Sequence, residues 1–363
     1  MKIGVIVLNF GEPENPTPEE VIPFLERIFF NNANLEGEVT PEEARRRSRE
    51  LAERRAPGLI QEYNEMGPSP LNPQARAQAE ALQTELRGRG HDATTYSAMQ
   101  FTEPLIQDAV KQAQEDGVEL LVGLPVYPLC GASTTVAALD AVERALEEIS
   151  WPGVEFRGVT GWHRHPLYTR LRADGVREAA RDAGVELANP RTTLLFSAHG
   201  TPIKYLKEGN RYQEYVEESC RAVAEELGVS DYVIGYQNHT NRGIEWTQPD
   251  VEQVIQELDT DAVVVVPISF MHEQSETLAE LDHELREEAE EVGLKFVRVP
   301  VPHDDPRFPR VLADLVEPLA LADEGATPRA GELRWGRCRC RPRTGSYCLN
   351  APALETAASP ASS

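Results

Sequence analysis

Apolar runs of strand length alternate with amphipathic stretches of helical period from the first residues to about residue 320, which leaves few folds open to the chain. The pattern predicts strands at 3–8, 93–97, 119–124, 154–158, 192–197, 232–236, 261–267 and 295–299. It predicts helices over 18–29, 40–63, 72–88, 103–115, 133–148, 167–184, 211–227, 249–258 and 276–291. Continuous apolar strands separated by helices belong in parallel sheets covered on both faces. The fold class expected is therefore α/β, built as two similar halves that meet near 160–190, where Asn189-Pro190 supplies a breaker. No short-period repeat points to a solenoid.

The 363 residues, 40% of them hydrophobic, suffice for two lobes of ordinary size. No apolar run reaches the 18 or so residues that a membrane-spanning helix needs. Met1-Lys2 leads straight into a strand, without the basic segment and small-residue cleavage site of a secretory signal. A cytoplasmic protein is expected, monomer or homodimer. The net charge of −24 argues against a nucleic-acid partner but not against a local acidic path for a cation. Beyond residue 323 the composition turns Arg-rich and then Ala-, Ser- and Pro-rich. That tail reads as disordered unless its cysteines give it a role.

In open α/β sheets, ligands bind beyond the carboxyl ends of the strands. Ser197-Ala198-His199-Gly200-Thr201-Pro202 stands at such an end. A lone histidine there is more often a packing residue, yet its strand-end position, with Gly200 leaving room for a flat ligand, favours proton transfer or metal contact. Glu276, Glu280 and Glu284 recur every four residues, with Glu273 three before, and no Lys or Arg occurs from 268 to 285. Glu-rich helices are usually just solvated faces. A row of like charges without basic partners is mildly unfavourable, however, and suits the hard oxygen ligands of a divalent cation. The segment His272-Glu273-Gln274-Ser275-Glu276 is not H-E-x-x-H, and neither a G-x-G-x-x-G nor a Walker A motif is present.

These motifs, in this order, resemble the ferrochelatases. The resemblance rests on Ser197–Pro202, Tyr236-Gln237, Trp246, Pro249-Asp250, Pro267-Ile268-Ser269-Phe270, Glu276-Thr277-Leu278 and Glu280-Leu281-Asp282. Leu8-Asn9-Phe10-Gly11-Glu12-Pro13, Gly67-Pro68-Ser69-Pro70-Leu71 and Tyr127-Pro128 with Ser133-Thr134-Thr135 agree. It implies two Rossmann-like lobes with a porphyrin cleft between them, residues 1–165 with a porphyrin-gripping lip and 166–322 with the catalytic pair, followed by a tail over 323–363. It further implies ferrous iron as substrate, His199 and Glu276 as catalytic and metal-contacting residues, and Glu273, Glu280 and Glu284 as an acidic metal path. Phe10, Phe29, Tyr127 and Trp246 would contact the ring, with Leu25 and Ile28 beside Phe29 on the lip or simply in a helix core. The alternatives are a cobalt or nickel chelatase acting on a tetrapyrrole such as sirohydrochlorin, and a non-catalytic haem or porphyrin carrier. Gln274 stands where many relatives have histidine, Gln100 where several have arginine, and Phe10 where the coproporphyrin-using branch has tyrosine. Phe10 and Glu280-Leu281-Asp282 lean towards protoporphyrin over coproporphyrin. Peripheral membrane association is compatible with the resemblance.

Some members of the family hold a 2Fe–2S cluster through three C-terminal cysteines and one from the body of the chain. Cys338-x-Cys340-x7-Cys348, with Cys130 two residues from the matching position, offers such a set. Zinc or no metal fits the spacing as well. Cys220 lies in a helical stretch and reads as a small core residue.

Overall fold

The computed structural model describes residues 1–35, 37–238, 243–323, 326–331 and 333–349. All eight expected strands form, and they sort into two sheets. β1 (Ile3–Asn9), β2 (Ala93–Met99), β3 (Leu120–Pro125) and β4 (Glu155–Val159) run parallel in the order β2-β1-β3-β4. β5 (Thr192–His199), β6 (Tyr232–Gln237), β7 (Ala262–Pro267) and β8 (Lys295–Arg298) run parallel in the order β6-β5-β7-β8. Every residue of β1, β3 and β7 is buried, because helices cover both faces.

The helices Pro18–Asn31 and Pro41–Met66 pack together where the resemblance placed a lip. Thr40 caps the second, its hydroxyl accepting from the Glu43 amide at 3.2 Å, and Pro41 begins it where a missing N–H costs nothing. Val21, Phe24 and Leu25 bury themselves against Ala52, Ala56 and Phe101. Ile28 and Phe29 continue that apolar stripe to the edge of the cleft.

Two departures from the sequence reading concern the C-terminal part. The helix Phe308–Leu321 was not expected, and it packs on the first sheet, not the second. Val311, Leu312, Leu315, Val316 and Leu319 share a core with Val5, Val7, Leu120 and Val122. Each such side chain contributes roughly 1.5–3 kcal/mol on burial before entropy is counted. Arg157 closes the helix end by donating to Ala322 O at 2.8 Å and to Leu319 O. The first lobe thus reclaims residues that a boundary of 166–322 gave to the second. The helix Pro166–Asp182 serves both cores, with Tyr168 and Leu171 in one and Ala173 and Val176 in the other.

The tail is ordered as far as it is described. β9 (Arg329–Ala330) pairs with β10 (Leu333–Arg334), and β11 (Gly336–Arg337) with β12 (Ser346–Cys348). β12 adds parallel to β4, which extends the first sheet to six strands. Arg341, only 2% exposed, pairs with Asp140 at 2.8 Å and Glu143 at 2.6 Å on the helix Ala137–Glu148. Two of the arginines that suggested disorder, Arg341 and Arg343, are thus neutralised by an acidic helix face. Residues 350–363 lie outside the described residues. Among the described residues, no helix is long and apolar enough to cross a membrane.

Candidate active site

A cleft of 890 Å³ opens between the lobes at the carboxyl ends of their strands. The turn after β1 brings Phe10 and Glu12, and the turn after β3 brings Tyr127. β5 ends in His199, and the loop after β7 leads to Glu276. Phe29 and Trp246 complete the aromatic wall. The cleft is large enough for a flat macrocycle with substituents.

His199 is half-buried. Its backbone N–H donates to Ser269 Oγ at 2.8 Å, and its carbonyl accepts from the Tyr212 hydroxyl at 3.0 Å. The ring Nδ1 lies 2.6 Å from Gly200 O. A carbonyl can only accept, so Nδ1 carries a proton, and in the neutral ring Nε2 carries the lone pair. Gly200 lines the cleft and also carries a packing role that the sequence does not show. A Cβ there would lie 1.8 Å from Asn238 Oδ1 and 2.9 Å from the Gln237 carbonyl, so glycine is needed for packing between the ends of β5 and β6.

Glu276 opens a π-helix, Glu276–Leu285, that continues as the α-helix Arg286–Glu291. Such wide turns are rare and recur at functional sites. A second, Ala132–Val136, brings Ser133 and Thr134 to the same cleft. The sequence pattern predicts helix in both places but cannot show the widened turn. Glu276, Glu280 and Glu284 all line the cleft, passing from an exposed Glu284 to a half-buried Glu280 and Glu276. Burial and the Glu276 charge push Glu280 up to about 8, partly offset by the Gln237 amide, which donates at 2.8 Å. Burial, with Glu62 and its acidic neighbours, also raises Glu284.

The sequence reading missed Glu12 as a site residue. Its side chain is 2% exposed, and its carboxylate accepts from the Ser69 and Ser275 hydroxyls. The Ser275 oxygen is also 3.0 Å from Glu276 Oε2. One hydroxyl hydrogen cannot serve two ionised carboxylates, and burial together with the Glu276 charge pushes Glu12 up to about 7. The sole hint was its position just after β1. Burial and these carboxylates likewise raise Tyr63, and burial with Glu276 raises Tyr127.

Not every carboxylate of the expected acidic row faces the cleft. Glu273 leaves the cleft and pairs with Arg298 of β8 at 2.8 Å, where it also accepts from the Val301 amide at 3.2 Å. The basic partner missing from the local sequence arrives from a strand 25 residues away. Gln274 donates to Glu276 Oε2 at 2.7 Å and so orients that carboxylate. His272 lines the cleft, but its Nε2 bonds to Gln78 Oε1 at 2.8 Å, and burial, with His303 adding, pushes it down to about 3. It is neutral. Gln100 accepts from the Tyr127 hydroxyl at 3.0 Å and positions that ring. Phe10 packs edge-on against Phe101 and Phe24, with ring centroids 4.6 and 6.2 Å away.

A group of cysteines gathers where the tail meets the body of the chain. The sulfurs of Cys130, Cys338 and Cys340 are within 4.8 Å of one another. Cys348 is near enough to Cys338 to act on its thiol. Hydrogen bonds from Cys130 and Cys340 hold Cys338 below the usual thiol range, while the same contacts and burial raise Cys130. The Arg341 amide donates to Cys338 Sγ at 3.3 Å, and the Tyr215 hydroxyl is 3.7 Å from Cys340 Sγ. Cys220 is buried in the same core as Cys130, Cys338 and Cys348 but is not one of the three sulfurs that approach one another.

The ferrochelatase family model matches residues 2–319. The ferrochelatase of Synechococcus sp. (strain JA-3-3Ab) is 36% identical over 333 residues, covering 90% of this chain and 96% of its own length. That of Aquifex aeolicus (strain VF5) is 32% identical over 322 residues, covering 87% and 99%. Among solved structures, SirB from Bacillus subtilis with Fe3+ shares the fold, with a TM-score of 0.50 and 12% identity over 87% of this chain and 95% of its own.

Proposed function

The chain belongs to the ferrochelatase family, and from that premise we propose how its cleft performs the reaction and which porphyrin it takes. As a ferrochelatase it is a lyase of haem biosynthesis that inserts ferrous iron into a porphyrin. The observation that carries the residue assignment is that His199 and Glu276, 77 residues apart in sequence, line one aromatic-walled cleft.

Iron entry replaces two pyrrole N–H protons, so the site must accept protons as well as admit metal. His199 takes the proton, because its Nδ1–H is committed to Gly200 O and its Nε2 lone pair is the basic one. Glu276 acts with it, oriented by the Gln274 amide. Glu284 and Glu280 lead ferrous iron inward from solvent as hard oxygen ligands. Phe10, Phe29, Tyr127 and Trp246 grip the ring. Holding a flat ring out of plane exposes nitrogen lone pairs that the planar form hides.

Protoporphyrin is the preferred substrate. The Phe10 ring, wedged against Phe24 and Phe101, presents carbon where a tyrosine would offer the metal an oxygen. The grouped thiols of Cys130, Cys338 and Cys340, with Cys348 acting on Cys338, supply the four thiolates of a 2Fe–2S cluster. Such a cluster, when bound, supplies one-electron redox chemistry and a covalent tie between the tail and the first lobe.

Anaerobic iron insertion, assayed side by side with protoporphyrin and coproporphyrin, tests the reading. Protoporphyrin should turn over faster, and His199→Ala or Glu276→Gln should abolish insertion while porphyrin still binds. Turnover of either variant at the wild-type rate would refute the residue assignment, and a coproporphyrin preference would refute the substrate. Sirohydrochlorin with cobalt or nickel serves as the contrasting substrate pair.

A further inference from the structure

The loop that delivers Glu276 is moored to the opposite lobe. His272 bonds to Gln78, and the Glu273 amide donates to Gln74 Oε1 at 2.9 Å, both on the helix Leu71–Gly88 of the first lobe. Ser275, immediately before Glu276, is held by Glu12. Its hydroxyl donates to Oε1, and its amide lies 3.3 and 3.4 Å from the two carboxylate oxygens. Glu12 is itself fixed on both sides. Its amide donates to Asn72 Oδ1 at 3.1 Å, the Asn72 amide returns a bond to its carbonyl at 2.8 Å, and Ser69 donates to its carboxylate. Gly11, at φ +83°, makes the turn that aims it.

A buried carboxylate is costly unless several donors reward it, and here the donors are the Ser69 and Ser275 hydroxyls and the Ser275 amide. Among the described residues no cation pairs with it. The arrangement is therefore not an ion pair that a different charge could replace. It is a hydrogen-bonded bracket, and its second arm ends one residue from Glu276.

We propose that Glu12 is a positioning residue for iron insertion: from the first lobe it grips Ser275 and so fixes the first turn of the π-helix and the direction of the Glu276 carboxylate. This rests on the assignment of Glu276 to the chemistry. Glu12 touches neither ring nor metal in this scheme; it acts through Ser275.

The test uses the full chain in anaerobic insertion with protoporphyrin, with porphyrin binding followed separately by fluorescence quenching. A carboxylate displaced by about an ångström loses on the order of 10²-fold in rate, so Glu12→Ala and Ser275→Ala should each lower kcat by about that factor with porphyrin KM little changed. The double variant should be no slower than either single one, because both remove the same bracket. Glu12→Gln keeps an accepting oxygen and should recover most of the rate, and it also covers the case in which Glu12→Ala fails to fold. Wild-type kcat in Glu12→Ala, multiplying losses in the double variant, or a Glu12→Gln as slow as Glu12→Ala would each overturn the proposal. If Glu276→Gln itself turned over normally, the underlying assignment would fail instead, so the two failures are distinguishable.

Discussion

Replacing Glu273 by alanine separates a carboxylate that guides metal from one that holds the fold together. Arg298 and Glu273 are 10% and 12% exposed and 2.8 Å apart, and Arg298 keeps a second, two-pronged contact with Asp282 at 2.7 and 2.8 Å. Alanine removes one charge-assisted hydrogen bond, about 1.5–3 kcal/mol, and leaves the Val301 amide without its acceptor, about 1–3 kcal/mol more. Because Asp282 still neutralises Arg298, the sum belongs near the lower end of the range for a broken buried pair, about 3 kcal/mol. An unfolding entropy of about 2.1 cal/mol/K per residue over 363 residues gives about 0.76 kcal/mol/K. The melting temperature should therefore fall by about 4 °C. Glu273→Gln keeps an acceptor for Val301 and should lose about half as much. Thermal melts by circular dichroism measure the shift, and insertion assays well below the transition measure the iron KM. A variant that melts with the wild type but needs severalfold more iron would refute the reasoning, because Glu273 would then belong to the metal path.

Three further outcomes follow from the same geometry. Glu12 and Glu280 have folded pKa values of about 7 and 8, above an ordinary value near 4.5, so the folded chain holds protons that the unfolded chain releases. Their stabilising contribution is complete below about pH 4.5 and is lost by about pH 8; urea melts across that window should show Glu280→Gln gaining on the wild type as pH rises, and a constant difference would count against the assigned shift. Gly200→Ala places a methyl group 1.8 Å from Asn238 Oδ1 and against the Gln237 carbonyl, and should cost about 1–3 kcal/mol in a denaturant melt. A neutral effect would mean the strand ends give way freely. Anaerobically purified protein should carry iron and acid-labile sulfide with visible absorbance that Cys130→Ser removes; metal content unchanged in that variant would exclude Cys130 as a ligand.

The alternation of strands and helices, legible in the sequence, placed all eight strands of the two parallel sheets to within about two residues. Burial on both faces writes a continuous apolar run into the local sequence, and β1 and β7 are such runs. His199 and the row Glu276, Glu280 and Glu284 were equally visible, since a strand end and a four-residue spacing are local features. Only the tertiary structure could give Glu12 its partner, because Ser275 is 263 residues away in the chain, and the same holds for the pairing of Glu273 with Arg298. The helix Phe308–Leu321 and the strand β12 join the first sheet against chain order for the same reason. Local periodicity reports which face of an element is buried; which distant groups meet there depends on how the two lobes close, and that is where the charges of this cleft acquire their values.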